Sequence, residues 1–346
     1  LCACGKSQAV KDVEEVIKAI GEVSLDSEEA ILKAERMYDY LTDSEKSKVE
    51  NKGKLVEARY AYDKLFTDKI YNTAKEEKID IMEIRFMSIG SGSCGNCYYL
   101  GVGDYGILID AGIPSKTIRA ALKKEGIPFE SICAMFVTHD HADHIRAVGT
   151  LGERVHLPIY STRAIHDGID RNYGVREKLR TSQRYFEKET EWELNGMRIN
   201  SFELSHDSTE CVGYVIDFLG QRFMIATDCG EPSQRMADFI RTANHIVIEA
   251  NHDEQMLLNG PYPTYLKERI LSPRGHQSNV TCGRLLAKNW HPEMRNIFLC
   301  HLSENNNTRE LAYECSADAL KSIGVEKGTV ALRCLPRQYP SQMYFL

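Results

Sequence analysis

The sequence predicts an α+β protein: a layered domain of strands and helices over residues 82–346, preceded by a small three-helix bundle within residues 1–74. Three observations carry that expectation. Residues 9–74 are rich in Lys and Glu, with apolar positions three and four apart, the period of helices packed on one face. Beyond residue 82, apolar runs of strand length recur, and several end at a lone His or Asp. A length of 346 residues with 42% hydrophobic content suits two domains, one with a sizeable core.

In the N-terminal part, Val10, Val13, Ile17 and Ile20 form one apolar stripe, and Ala30, Ile31, Ala34 and Met37 a second. Leu55, Ala58, Tyr62 and Leu65 form the third. Asp26-Ser27-Glu28-Glu29 and Thr42-Asp43-Ser44-Glu45 have capping-box form and mark the starts of the second and third helices. Nothing in the bundle carries chemistry. A polar linker, residues 75–81, follows it.

The chemistry begins at Thr138-His139-Asp140-His141-Ala142-Asp143-His144, directly after the apolar run Met135-Phe136-Val137. Neutral imidazole is the commonest protein ligand for zinc-like metals, and carboxylate oxygen is its usual companion. His139 and His141 leave a strand end on one face, because side chains two apart share a face. The turn that follows can carry Asp143 and His144 to the other side of a cavity. Two half-sites result, which reads as a dinuclear metal centre. Further donors close other apolar runs: His206 after Met197–Phe202, Asp228 after Arg222–Thr227, and His301 after Ile297–Cys300. Ligands at strand ends are how a layered domain gathers distant residues around one cavity.

With these motifs in place, the chain from about Met82 resembles the metallo-β-lactamase fold superfamily. The order Asp110, His139 to His144, His206, Asp228, His301 matches its five motifs. It is most similar to the YycJ/WalJ group of small phosphodiesterases or exonucleases. The matching residues are Ser91-Gly92-Ser93-Cys94-Gly95-Asn96, Glu249-Ala250-Asn251-His252-Asp253, Gly260-Pro261-Tyr262-Pro263, Gly275-His276-Gln277-Ser278-Asn279 and His301 to Asn307. Gln277 stands where that group carries an apolar residue.

The resemblance implies a four-layer αβ/βα sandwich. It also implies two divalent metal ions, Zn or Mn: His139, His141 and His206 on one, Asp143, His144 and His301 on the other. Asp228 bridges them together with a hydroxide, the attacking group, and Asp110 orients a ligand histidine from behind. Asp143, Asp228 and His276 carry the catalytic roles. Ser93, Asn96, Asn251, Asn279, Asn305 and Asn306 are the expected contacts to substrate phosphate. For His276, a satisfied loop histidine is the competing reading.

The implied function is cleavage of phosphodiester bonds in nucleic acid, with DNA favoured and exonucleolytic action expected. An ester, thioester or lactone hydrolase of the same fold is the alternative. The chain is net −7, but residues 261–346 hold 11 Lys/Arg against 7 Asp/Glu, and residues 163–188 hold 7 against 4. Local basic surface is what engages phosphate backbones, although a solvated helical face gives the same excess. Tyr262, Tyr265, Trp290 and Tyr344 are candidate base-stacking residues or core residues. Only 73 positions separate Asp228 from His301 (301 − 228), too few for the inserted domain of the β-CASP nucleases.

Eleven irregularly spaced cysteines do not form a disulfide framework. Cys94-Gly95-Asn96-Cys97 lacks a second pair and reads as two small core residues. No apolar run of 18 residues exists to span a membrane. Leu1-Cys2-Ala3-Cys4-Gly5 resembles a lipobox, whose Cys4 would carry a lipid anchor, while a chance match and an artificial junction near Met82 compete with it. The expected location is cytoplasmic, with a membrane-anchored lipoprotein through Cys4 as the alternative.

Overall fold

The fold is that of a computed structural model, which describes residues 6–59, 61, 62, 65, 84–103 and 105–346. The lipobox-like start at Cys4 and the linker at 75–81 lie outside the described residues. Two compact units emerge. The larger comprises chiefly Met82–Asn307 and Leu311–Ser341; the smaller groups the preceding residues with Thr308–Glu310 and Gln342–Phe345.

The smaller unit is helical, with helices at Gln8–Ala19, Glu28–Asp39 and Asp43–Lys46 and a further helical stretch over 52–59. Val10, Val13, Ile17, Ile31, Ala34, Leu55, Ala58 and Tyr62 form its core. Ala30 and Leu65, expected in the stripes, are exposed. The third helix starts where Thr42 predicts it: Thr42 N–H and Oγ1 donate to Glu45 Oε2 at 3.2 and 2.8 Å. It is then interrupted. Glu50 N–H donates to Glu14 Oε1 at 2.8 Å, and Asn51 Nδ2 to the Glu14 carbonyl at 2.9 Å, so this stretch spends its hydrogen bonds on the first helix. Ser27 makes no side-chain cap; its Oγ accepts from Ser24 N–H at 2.9 Å.

The larger unit holds two mixed sheets. The first runs β1 (Ile84–Gly90), β2 (Cys97–Val102), β3 (Tyr105–Ile109), β4 (Ile132–Phe136), β5 (Ile159–Ser161) and β6 (Gln183–Tyr185) in spatial order. Its first three strands are antiparallel and β3 to β6 are parallel. The second comprises β7 (Glu191–Leu194), β8 (Met197–Glu203), β9 (Val212–Phe218), β10 (Gln221–Ala226), β11 (His245–Glu249), β12 (Asn296–Cys300) and β13 (Ala331–Cys334), again in sequential order. Here β7 to β10 are antiparallel and β10 to β13 parallel.

The sheets meet face to face through large apolar side chains. Phe86 of β1 lies 5.2 Å from Phe223 of β10 and 4.8 Å from Phe298 of β12, ring centre to ring centre. On the outer face of the second sheet, Met236 and Ile240 of helix Gln234–Ile240 and Cys282 and Leu286 of helix Asn279–Asn289 pack against Met224, Ile246, Ile248 and Ile297. The result is the expected four-layer α+β sandwich. All five residues of β11 are buried, which is why its centre, Ile246 to Ile248, reads as an unbroken apolar run and not as an alternation.

The parallel strands set up the site. β3, β4, β10, β11 and β12 end at Ile109, Phe136, Ala226, Glu249 and Cys300, each at or just before a residue of the cluster described below. Asp110, Asp228 and His301, each within two residues of such an end, adopt positive φ of 59°, 48° and 52°. A left-handed residue stops the ladder and turns its side chain off the sheet, at a cost that non-glycine residues meet chiefly at functional sites.

Candidate metal centre

His139, His141 and His206 form the first group. Their ring centres are 4.8, 4.9 and 5.0 Å apart, and His206 Nε2 approaches His141 Nδ1 at 3.2 Å. Asp143, His144 and His301 form the second, with Asp143 Oδ2 lying 3.7 Å from His144 Nε2 and 3.6 Å from His301 Nε2. Asp228 stands between the two. Its Oδ2 is 3.1 Å from His144 Nε2, while Oδ1 is 3.2 Å from His301 Nδ1 and 3.9 Å from His206 Nε2. All seven expected ligands therefore converge; His139, His141 and His206 are close enough together to hold an ion, as are Asp143, His144 and His301, and Asp228 groups in the same way with His139 and His144.

The donor set fits divalent cations. His139 Nε2 and His301 Nε2 are buried with no hydrogen-bond partner. A buried polar atom left unpaired is costly, and a metal ion is one of the partners that removes the cost.

The opposite ring nitrogens are held in place. Asp110 is fully buried; its Oδ2 accepts from His144 Nδ1 at 2.7 Å and from Thr138 Oγ1 at 2.8 Å, and its Oδ1 accepts Thr138 N–H at 2.8 Å. His206 Nδ1 donates to the Gly275 carbonyl at 3.0 Å. Glu249 accepts from His301 Nδ1 at 2.9 Å and His276 Nδ1 at 2.7 Å, and its Oε2 accepts the N–H of Cys229 and Gln277. In His144, His206 and His301 these bonds leave Nε2 facing the other clustered donors.

Charge compensation follows. Burial disfavours the charged form of His144, yet Asp228, Asp110 and Asp143 raise it well above the usual histidine range. His301 is carried up to about 10 against the same penalty, first by Asp228. Asp228 is held well below the carboxylate range despite full burial, by His301 and His144. His139, with burial dominating, is lowered and stays neutral.

The turn is locked to its neighbours by backbone. Asn96 N–H donates to the Asp143 carbonyl at 2.8 Å, Ala111 N–H to that of His144 at 2.7 Å, and Gly112 N–H to that of Asn96 at 2.7 Å. A Cβ on Gly112 would sit 1.5 Å from the Asp143 oxygen, so only glycine fits there.

Of the expected phosphate contacts, only Ser93 and Asn305 are exposed. The others are buried and bonded within the chain, which corrects that expectation. Asn96 Nδ2 lies 2.9 Å from His144 Nε2, Asn251 Nδ2 donates to the His301 carbonyl at 2.9 Å, and Asn279 exchanges amide bonds with Asn307 at 2.9 Å. Asn306 is turned to Ser303 and Asp253. Trp290 packs on the core and Tyr344 is buried, so neither is a stacking surface. His276 does reach the cluster, its ring 5.0 Å from His206 and 5.3 Å from His301.

Glu249 was not expected. It is the last residue of β11, whereas the expected ligands follow their strand ends, so the pattern marked it only weakly. No helix among the described residues is long and apolar enough to cross a membrane.

Comparison with known proteins agrees with this geometry. Residues 105–287 match the family described as β-lactamase superfamily domain. The chain is 33% identical over 248 residues to exodeoxyribonuclease YycJ of Bacillus anthracis, spanning 71% of this chain and 93% of that protein. It is 34% identical over 245 residues to exodeoxyribonuclease WalJ of Streptococcus pneumoniae, spanning 70% and 91%. The fold is shared with the metallo-β-lactamase fold protein YhfI from Bacillus subtilis, at a TM-score of 0.58 and 16% identity over 77% of this chain and all of that one. The chain belongs to the metallo-β-lactamase superfamily, within its YycJ/WalJ-like group, and is a metal-dependent hydrolase.

Proposed function

We propose that residues 82–346 form a dinuclear phosphodiesterase domain that acts on nucleic acid, as an exonuclease with DNA favoured, and that the N-terminal helical module is appended to it. One observation carries the dinuclear reading: two groups of N/O donors share a single buried carboxylate, Asp228, whose Oδ2 lies 3.1 Å from His144 Nε2 and whose Oδ1 lies 3.2 Å from His301 Nδ1 and 3.9 Å from His206 Nε2. The printed names of the relatives support the nuclease reading.

His139, His141 and His206 would hold one ion, Asp143, His144 and His301 the other, and Asp228 both. All-N/O donors suit Zn or Mn. When bound, the pair supplies a water acidified toward neutrality and positive charge for the oxygens at phosphorus. Asp110 and Glu249 fix the imidazoles so that Nε2 is the free donor, the role carboxylates commonly play behind metal-bound histidine. His276 is half-buried, and although burial opposes its charge, Glu249 raises it above the ordinary range. The shift favours its protonated form, suited to donate a proton to the leaving oxygen. The nine described cysteines are free thiols, which supports a reducing, cytoplasmic setting.

The test is cleavage of end-labelled DNA and RNA by metal-loaded protein, beside an Asp228→Ala variant. Shortening of DNA from one end by the wild type alone is the expected result. Turnover of carboxylic esters or lactones without turnover of DNA or bis(p-nitrophenyl) phosphate would reject the proposal.

A further inference from the structure

We propose that the helix Thr264–Leu271 is a substrate-binding ridge for this centre: Arg269 clasps the phosphate next to the one cleaved, and Tyr265 stacks on the adjoining base of a single-stranded DNA end. The inference rests on the phosphodiesterase reading and extends it to residues outside the ligand set.

Arg269 is tied to the cleft by Asp207. Its Nε donates to Asp207 Oδ2, and its Nη2 to Oδ1 at 3.1 Å. Asp207 directly follows His206, and its Oδ1 lies 3.5 Å from His206 Nε2 and 3.7 Å from His141 Nε2. The guanidinium is therefore fixed one carboxylate away from the imidazole cluster, and with a side-chain exposure of 52% it faces solvent. The turn that carries Asp207 is itself braced, because Arg274 donates Nε and Nη2 to the His206 carbonyl at 3.0 and 2.7 Å. A guanidinium has five N–H donors in a planar fork, and Asp207 takes two of them. Those remaining match phosphate oxygens in geometry and charge.

Tyr265 stands four residues before Arg269, so the two share one face of the helix with Cβ atoms about 5–6 Å apart. Tyr265 is 72% exposed, although Ile270 of the same helix is buried and gives the helix a core-facing side. An exposed ring beside an oriented guanidinium matches the alternation of base and phosphate along a single strand, where stacking tolerates any base. The competing role is a surface ion pair that only ties the helix to the loop.

Steady-state kinetics separates the two roles, using metal-loaded wild type, Arg269→Ala and Tyr265→Ala on a fluorescein-labelled oligo-dT and on bis(p-nitrophenyl) phosphate. The latter has neither a flanking phosphate nor a neighbouring base. On the oligonucleotide, KM is expected to rise about tenfold for Arg269→Ala and about fivefold for Tyr265→Ala, with kcat within twofold. These losses are expected to exceed those on bis(p-nitrophenyl) phosphate at least threefold. Arg269→Ala is also expected to reduce the slope of log affinity against log salt by about 0.7. Equal losses on both substrates, or unchanged KM and salt slope, overturn the ridge and leave the phosphodiesterase reading standing. Wild type that cleaves neither substrate overturns that reading and the ridge with it. Should Arg269→Ala fail to fold, Tyr265→Ala, which removes an exposed ring, decides the matter alone.

Discussion

The carboxylate of Asp110 lies 2.7 Å from Nδ1 of His144, and neither side chain is exposed to solvent. That bond fixes which ring nitrogen faces Asp228. Asp110→Asn keeps the shape but removes the charge, and its amide can present a donor to a nitrogen that needs an acceptor. Metal affinity is expected to fall about 10- to 100-fold, read by competition with a chelator, while the melting temperature of the metal-free protein moves less than with Asp110→Ala.

Glu249→Gln is expected to act in the same direction, because one oxygen, Oε1, serves both His301 and His276. Burial opposes ionisation of Glu249, but His276 and His301 hold it down to about 2, so it is charged throughout the working range. The variant is expected to weaken metal binding about 10- to 100-fold and to lower the pH at which His276 loses its proton. A pH–rate profile whose alkaline limb does not move would show that His276 has no part in proton transfer.

The seven clustered donors were legible because each follows a strand-length apolar run or sits in the His139 turn. Asp110 was legible for the same reason. Glu249 met the same pattern, but it stands inside the strand HIVIE and so resembled a strand residue more than a strand-end donor. The asparagines misled for a different reason. In sequence an Asn is a free donor, and only tertiary structure shows that Asn279 is spent on Asn307, 28 positions away. The break in the third helix was equally hidden, since it depends on Glu14, 36 positions before Glu50.

Gly112→Ala places a methyl group 1.5 Å from the Asp143 carbonyl oxygen, a backbone atom that cannot swing aside. The loop must separate from the His139 turn. A loss of about 3–5 kcal/mol is expected in urea unfolding, together with loss of metal from the second group. Wild-type stability with full metal content would contradict the role given to this contact.

Glu153 gives the fold an acid-sensitive tie. Its carboxylate accepts Ser182 Oγ at 2.7 Å and the N–H groups of Arg180, Thr181 and Ser182 at 2.8, 3.1 and 3.2 Å. Those bonds, led by Ser182 Oγ, lower it from 4.5 to about 2. A depressed carboxylate contributes stability that is complete above its unfolded value and lost as pH falls through the folded one. Glu153→Gln is therefore expected to be less stable than wild type at pH 6, with the two converging between pH 4.5 and 2, as followed by urea midpoints.

Metal binding is expected to release protons. In the metal-free protein His301 is raised from 6.5 to about 10, so its charge stabilises the fold below pH 6.5 and ceases to do so as pH rises through 10. A cation at Nε2 must displace that proton, and the same holds for His144. Calorimetric titration at pH 7 in buffers of different ionisation heat should show release of roughly two protons per chain. No dependence on buffer would contradict these charge states.

The sharing of Asp228 by two cations is the central feature of the proposed chemistry. Its most direct test is a titration of chelator-stripped protein with Zn or Mn, in which cleavage of end-labelled DNA is followed against metal bound per chain. Activity is expected to appear only as the second equivalent binds, and to be missing at every ratio in Asp228→Ala. Full activity at one equivalent, or in the variant, would contradict it.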